Sequence, residues 1–158
     1  MYPTRIAFAE VLDRISVLRA NGHSAEGLVT SVFTLEKLMR RSMRVAIVSR
    51  GFTSDQANRL LERRGFDDLK KMWDIFDRGH ESLVTIIGER DWQHIPPAVK
   101  ARNEFVHGLR VYNLAECEAM AGHVVTGLQK LHAKVTERYG RDPWEKIKTR
   151  RKPQLQWL

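Results

Sequence analysis

Residues 102–108, which read RNEFVHG, contain an arginine and a histidine five positions apart, with an amide directly after the arginine. Imidazole can both take and give a proton near neutral pH, and guanidinium can hold a phosphate through two donors at once. RNA supplies its own nucleophile, the 2′-hydroxyl, so its cleavage needs only a base, an acid and positive charge on the phosphorane. Arg102, Asn103 and His107 are therefore candidates for catalysing RNA cleavage without a metal ion.

This motif resembles the signature of the HEPN superfamily, small all-α proteins recognised by R-x4-6-H, usually with Asn, Asp or His after the arginine. Here the pattern is Arg102, Asn103 and, after four intervening residues, His107. The resemblance extends over roughly residues 80–139. It implies an all-α bundle, a metal-independent ribonuclease acting as a toxin or phage-defence effector, and a homodimer whose two motifs face one cleft. Some members have lost catalysis, which leaves open a non-catalytic module that binds RNA or a partner protein.

The resemblance also suggests a role for each motif residue. His107 would be the general base or acid, and its symmetry mate would supply the complementary role. Arg102 would stabilise the charge of the phosphorane, and Asn103 would orient His107 or the phosphate. In the alternative interpretation, the apolar part of the Arg102 side chain packs on the protein while its guanidinium reaches water, and His107 only caps a helix or forms a hydrogen bond.

One branch of the superfamily is paired with minimal nucleotidyltransferase antitoxins, and it has a tyrosine two residues after the histidine as a target of modification. The corresponding position here is Leu109, and the nearest tyrosine, Tyr112, lies five residues after His107. The sequence therefore gives no support to regulation by that antitoxin. An antitoxin of another kind or a regulatory protein is still an expected partner.

Length and composition indicate one helical domain with no membrane span. The chain has 158 residues, of which 42% are hydrophobic and 29% are charged, an ordinary composition for a folded domain. Its longest apolar runs, such as residues 45–48, are far shorter than a bilayer span. Cys117 is the only cysteine, so no internal disulfide can form, and the expected compartment is the cytoplasm.

No pattern in the sequence is typical of an enzyme that uses a metal or a cofactor. No two histidines have the H-x3-H spacing of a metal site, and a single cysteine excludes a thiolate cluster. The chain also lacks a G-x-S-x-G elbow, a phosphate-binding G-x4-G-K-[ST] loop and a dinucleotide fingerprint. We therefore expect neither a metal ion nor a cofactor.

Positive charge is concentrated after residue 137. This part of the sequence contains seven Lys or Arg and two acidic residues, which gives +5 of the net charge of +8 of the chain. We predict a basic C-terminal extension, residues 141–158, after a helical domain, residues 1–140. With Trp144 and Trp157 interleaved, such an extension could track RNA phosphates and stack on bases. Alternatively, it is a solvated end whose tryptophans fold back on the body. The candidate RNA-binding residues are Lys148, Arg150, Arg151 and Lys152 in the extension and Lys100 and Arg110 beside the motif.

Apolar residues with a 3.6-residue period predict an all-α bundle of about five to seven helices. Thr4 is expected to cap the first helix, and Thr53 and Asn113 each precede a Gln or Glu by three residues, as in capping boxes. Residues 89–95 are predicted to be a loop. The predicted spans are 4–21, 24–50, 53–64, 67–77, 81–88, a motif helix from Pro96-Pro97, 113–139 and a short helix from Pro143.

The motif helix is expected to bury an apolar stripe with Arg102 inside it. Asn103 and His107, four residues apart, would project from a neighbouring face. The site is then expected at the edge of the helix packing, at a crevice or a subunit contact, and Gly108 is expected to break the helix. The stripe consists of Ala98, Ala101, Phe105 and Leu109.

A different class of function, DNA recognition, is suggested by the two helices predicted around Gly65. Together they have the size of a helix-turn-helix, and Lys70 and Lys71 lie on the second helix. Apolar residues such as Leu69 and Trp73 leave that helix little polar surface to read bases, so a packing role is favoured.

Overall fold

The computed structural model describes residues 6–109 and 112–155. Within these residues, seven helices have at least five residues, an eighth is a single turn, and no strand occurs, which confirms the all-α prediction. In the same residues, no helix combines the length and the apolar character needed to cross a membrane. The helices are α1 Phe8–Ala20, α2 Ser24–Ser49, α3 Ser54–Leu61, α4 Phe66–Phe76, α5 Leu83–Ile87, α6 Glu89–Trp92, α7 Ile95–Val106 and α8 Leu114–Tyr139.

The chain divides into two compact units, and each is built from two separate parts of the sequence. Unit 1 comprises Met1–Leu35 and Ile87–Lys130, and unit 2 comprises Glu36–Ile86 and Leu131–Leu158. Helices α2 and α8 each contribute their first part to unit 1 and their second part to unit 2. The boundary predicted at residue 140 does not coincide with a boundary between these units.

Apolar side chains at helical spacing form the core of unit 1. Gly127 in α8 allows the close approach of α7, because an added Cβ atom would lie 3.0 Å from Ile95 Cδ1. Arg19 of α1 forms an ion pair with Glu118 of α8, with 2.7 Å between Arg19 Nη2 and Glu118 Oε1. The approach at Gly127 positions α7, which carries the motif, and the ion pair ties α1 to α8. The buried residues of unit 1 include Val11, Ile15, Leu28, Val32, Trp92, Ile95, Ala98, Ala101, Cys117, Val124 and Leu128.

The core of unit 2 follows the predicted periods closely. Thr53 and Gln56 form the predicted capping box, with Gln56 N–H donating to Thr53 Oγ1 at 3.1 Å and Thr53 N–H donating to Gln56 Oε1 at 2.9 Å. Asp77 is buried and forms an ion pair with Arg138. The buried apolar residues of this unit include Leu38, Met39, Met43, Ile47, Ala57, Leu61, Leu69, Trp73, Leu83, Val135, Trp144 and Ile147.

The prediction of a loop at residues 89–95 is wrong. Gly88, with φ of +90°, turns the chain, and α6 begins directly after it, while α7 begins at Ile95. Trp92 and Ile95 are buried, so the helical turn brings two large apolar side chains into the core. The prolines 96 and 97 lie in the first turn of α7, as predicted.

Residues 143 and 144 form a turn and the residues from there to 155 form no helix, so the helix predicted from Pro143 is wrong. Hydrogen bonds to Ser54 at the start of α3 and to Gly51, two residues after α2, hold this segment. Arg150 N–H donates to Ser54 Oγ at 2.9 Å, and Ser54 N–H donates to Arg150 O at 3.0 Å. Gln154 N–H donates to Gly51 O at 2.7 Å. Because these partners are distant in sequence, local propensity could not reveal them.

Smaller differences occur at helix ends. The predicted cap Thr4 lies outside the described residues, and α1 begins at Phe8. Helix α3 ends at Leu61 instead of residue 64, since Glu62 is extended and Arg63 is left-handed, with φ of +58°. Helices α2, α4, α5 and α8 begin and end within two residues of the predicted positions.

Candidate active site and basic surfaces

The motif lies at the C-terminal end of α7, in unit 1. Arg102 and Asn103 belong to the last turns of the helix. His107 directly follows the helix and caps it, with its backbone N–H donating to Asn103 O at 3.1 Å. Asn103 and His107 are exposed, and Arg102 is half-buried. One accessible helix end therefore carries all three motif residues.

Gly108 ends α7, as the sequence predicted. Its φ of +64° lies in the left-handed region, which glycine adopts without strain. Gly108 N–H donates to Phe105 O at 3.1 Å, and Leu109 N–H donates to Glu104 O at 2.9 Å. This pair of bonds is a Schellman motif, which satisfies carbonyls that a helix end leaves without partners. The cap fixes the backbone of His107 immediately after the last helical residue.

Arg102 is positioned by its neighbour in the motif. Arg102 Nε donates a hydrogen bond to Asn103 Oδ1 at 2.8 Å. The amide oxygen thus orients the guanidinium, while the amide NH2 group of Asn103 can still donate. In the part of the chain that the structure describes, the His107 ring forms neither a hydrogen bond nor an ion pair. The arrangement therefore offers an oriented guanidinium and an accessible imidazole at the same helix end.

The predicted apolar stripe of α7 extends along only part of the helix. Ala98 and Ala101 are buried, and Phe105 is half-buried. Leu109 is 75% exposed, so its assignment to the stripe is wrong. The reason is that Leu109 follows the left-handed Gly108 and no longer continues the helical period.

Three large apolar residues lie exposed close to His107 in the sequence. Val106 precedes it and is 64% exposed, Leu109 follows two residues later, and Leu114 begins α8 with 59% exposed. Exposed apolar side chains that occur singly need no explanation, but several close together are typical of an interaction surface.

Glu104 opposes the positive charge that flanks the motif. Lys100, a candidate RNA-binding residue, is exposed, and its Nζ lies 3.9 Å from Glu104 Oε1. Tyr112 OH donates to the other oxygen of the same carboxylate, Glu104 Oε2. The second candidate beside the motif, Arg110, lies outside the described residues. The described surroundings of the motif therefore contain little unopposed positive charge.

Charge is divided between the two units. Unit 1 contains eight Lys or Arg and eight Asp or Glu, so its formal net charge is zero, although it carries the motif. Unit 2 contains 19 Lys or Arg and 11 Asp or Glu, so it holds the whole net +8. The sequence prediction located +5 of this charge in the C-terminal segment. The other +3 comes from residues 36–86, which the fold groups with it.

The C-terminal segment is anchored on the rest of unit 2 by Trp144. Only 6% of Trp144 is exposed. Lys37 Nζ and Arg41 Cζ lie 4.8 Å and 5.1 Å from the centroid of its ring. For this tryptophan, the alternative of folding back on the body is confirmed, and little of the ring is left for a base. Trp157 lies outside the described residues.

The candidate RNA-binding residues of the segment differ in exposure. Lys148, Arg151 and Lys152 are exposed, whereas Arg150 is half-buried where its backbone pairs with Ser54. The segment therefore keeps at least three accessible positive charges while its backbone and its tryptophan are held.

A charged cluster around Asp91 in unit 1 was not predicted from the sequence. Asp91 is 7% exposed. Lys130 Nζ donates to Asp91 Oδ2 at 2.8 Å, and His123 Nδ1 lies 3.1 Å from Asp91 Oδ1. The hydrogen bonds from Lys130 and from His123 lower the pKa of Asp91. The ring of His94 stacks on His123 with 3.8 Å between centroids. The spacing of His123 and Lys130, two turns apart on α8, was the only signal in the sequence.

Among the described residues, no three His, Cys, Asp or Glu side chains come close enough to hold a metal ion. The Asp91 cluster thus has the features of an ion pair that ties α6 to α8. The carboxylate of Asp91 on α6 is shared between Lys130 and His123, which both lie on α8.

The two helices proposed as a helix-turn-helix pack as core elements. Leu69 and Trp73 of α4 are buried. The exposed charged residues of α4 are of both signs, with Lys70 and Lys71 beside Asp67 and Asp74. A balanced surface of this kind is a poor match for a DNA backbone.

Comparisons with known proteins do not identify a relative of this chain. No family model, no curated protein and no solved structure gives a significant match.

Proposed function

We propose that this protein is a HEPN-like, metal-independent endoribonuclease that acts as a toxin or phage-defence effector in the cytoplasm. The observation that carries the proposal is the Arg102 guanidinium, oriented by Asn103 Oδ1 at 2.8 Å, at the helix end that also exposes His107. Preorganised positive charge beside an accessible imidazole is what transesterification of RNA requires.

In the proposed reaction, one imidazole removes the proton of the 2′-hydroxyl, and the oxygen attacks the adjacent phosphorus. The bond from phosphorus to the 5′-oxygen breaks, and an acid protonates that oxygen. The products are a 2′,3′-cyclic phosphate and a 5′-hydroxyl. Arg102 stabilises the phosphorane, and Asn103 acts as a positioning residue for Arg102 instead of for His107.

A second copy of the chain would complete the site. One His107 can serve as base or as acid, whereas the reaction gains from both at once. A twofold axis beside the motif would duplicate the imidazole, and the exposed Val106 and Leu109 on either side of His107 support such a contact.

The first test measures cleavage of total RNA with and without EDTA. Cleavage is expected to persist in EDTA and to leave cyclic phosphate ends, because no step needs a metal-activated water. His107→Ala and Arg102→Ala should each lower the rate by roughly 10²-fold or more. His23→Ala, which removes an exposed histidine elsewhere in unit 1, is the matched control. Activity that vanishes in EDTA and returns with magnesium would contradict the mechanism.

The second test mixes His107→Ala and Arg102→Ala subunits. If each site takes groups from both chains, the mixture should regain partial activity that neither parent has. An active protein that light scattering shows to be monomeric at assay concentration would remove the composite site from the proposal.

A non-catalytic module that binds RNA is the second candidate, and the +8 charge of unit 2 favours RNA binding whether or not the motif is active. It predicts that the wild-type protein binds RNA and leaves it intact.

A further inference from the structure

Four arginines line one pocket of unit 2, formed by α2 and α3. The pocket has a volume of about 590 Å³, within the range of sites that hold small molecules and nucleotides. Glu62 is the acidic residue that lines it. The arginines are Arg40, Arg41, Arg44 and Arg59.

Most of this positive charge has no carboxylate partner. Arg40 donates to Leu61 O and to the carbonyl of residue 64, and Arg41 donates to Trp144 O. These carbonyl acceptors orient the guanidinium groups without neutralising them. In residues 6–109 and 112–155, no carboxylate forms an ion pair with Arg40, Arg41 or Arg44.

Arg59 does have a partner, but a weak one. Its Nε lies 3.3 Å from Asp55 Oδ2 on the same helix, and both side chains are at least 70% exposed. Such an exposed pair contributes little and opens readily. Arg59 can therefore turn to an anion in the pocket at small cost.

The arginines of α2 repel one another. Burial and then the positive charge of Arg44 lower the pKa of Arg41, and Asp142 acts in the opposite direction. Bound anionic charge would relieve both the repulsion and the loss of hydration.

Arg44 has a hydrogen-bond donor that no other described residue uses. Its Nε is buried and has no hydrogen-bond acceptor within the described residues. Buried donors are nearly always paired in folded proteins, so a buried guanidinium nitrogen without an acceptor calls for a partner. A phosphate oxygen is well suited, because guanidinium and phosphate pair through two parallel hydrogen bonds.

We infer that this arginine pocket of unit 2 binds a backbone phosphate of single-stranded RNA. The identity of the polymer rests on the proposed function, whereas the phosphate chemistry rests on the four arginines and on the charge of unit 2.

The test measures affinity for a fluorescent oligoribonucleotide that carries 2′-O-methyl groups throughout, so that binding is separated from cleavage. Arg44→Gln is expected to weaken binding about tenfold to a hundredfold, the scale of a lost charged hydrogen bond. Each of Arg44→Gln and Arg59→Gln should also reduce the salt slope by about 0.7. Inorganic phosphate should compete with the oligonucleotide for the wild-type protein.

Lys71→Gln is the matched control, since it removes the same charge from an exposed position of α4 in the same unit. Equal affinity and equal salt slope for Arg44→Gln, Arg59→Gln and Lys71→Gln would overturn the inference. If Arg44→Gln does not fold, Arg59→Gln decides alone, because its side chain is 70% exposed.

Cleavage of unmodified RNA is assayed in parallel. The pocket variants should raise KM and leave kcat nearly unchanged, whereas His107→Ala should keep wild-type affinity. Pocket-dependent binding without cleavage by the wild type would refute the ribonuclease and support the pocket. Cleavage of RNA by pocket variants whose affinity for RNA is unaltered would refute the pocket and support the ribonuclease.

Discussion

Replacing Trp144 with alanine tests whether the basic C-terminal segment is a fixed part of unit 2. Only 6% of this residue is exposed. An aromatic side chain buries about 150–250 Å², which at about 25 cal/mol per Å² corresponds to roughly 4–6 kcal/mol. Measured losses for a buried Trp→Ala change are about 3–5 kcal/mol. The lost contacts of Lys37 and Arg41 with the ring add about 0.5–1 kcal/mol each at most. We expect a loss of about 3–5 kcal/mol.

The assay is urea unfolding followed by far-ultraviolet circular dichroism, which reports helix loss directly. Trp144→Phe is the control, because it keeps an aromatic ring beside Arg41 and should lose far less than the alanine variant. Hydrogen exchange at the amides of Arg150 and Gln154 should accelerate in Trp144→Ala, since both donate bonds that hold the segment. A loss within about 0.5 kcal/mol, as at a surface site, would refute the anchoring role.

Two further predictions concern charge. Lys130 and His123 lower the pKa of Asp91 in the folded state, so its contribution is present above its unfolded pKa of about 3.9 and is lost as the pH falls through the lower folded value. Unfolding free energies from pH 7 to pH 3 should therefore fall less steeply for Asp91→Asn, which starts about 1.5–3 kcal/mol less stable, because Lys130 remains 47% exposed to water. An identical dependence on pH in this range would show that Asp91 does not contribute to acid unfolding. Replacing Lys148, Arg151 and Lys152 with Gln should change stability by no more than about 0.5 kcal/mol. The same triple change should lower the salt slope of RNA binding by up to about 2, and an unaltered slope would make the segment a packing element only.

Much of the fold was predictable because local signals and tertiary packing agree. The apolar residues of α2 that recur at helical spacing are all buried, namely Leu28, Val32, Leu35, Leu38, Met39, Met43, Ala46 and Ile47. The caps at Thr53 and Gly108 also follow local rules that tertiary contacts do not override. The failures have the opposite cause. The segment after Pro143 is not helical because Gly51 and Ser54, about a hundred residues earlier, supply hydrogen-bond partners for its backbone.

The residues of the candidate motif are close in sequence, so helical geometry sufficed to expect them at one end of α7. The role of Asn103 was not predicted, because it was assigned to His107 or the phosphate, whereas its Oδ1 accepts a hydrogen bond from Arg102 Nε. The partners of Asp91 come from another helix, and Arg59 joins the arginines of α2 only through the packing of α3. A sequence shows charges along one helix, but it does not show which other helix completes a pocket.

The interleaving of the two units sets an order of events during synthesis. Unit 1 cannot close until residue 130 has left the ribosome, because its parts are separated by residues 36–86 of unit 2. Residues 36–86 in turn cannot complete unit 2 until the end of α8 and Trp144 have been synthesised. At about 5–20 residues per second, the interval from residue 86 to residue 144 lasts roughly 3–12 s. During that time, residues 36–86 lack the part of unit 2 that residues 131–158 contribute, so they are open to chaperones and proteases.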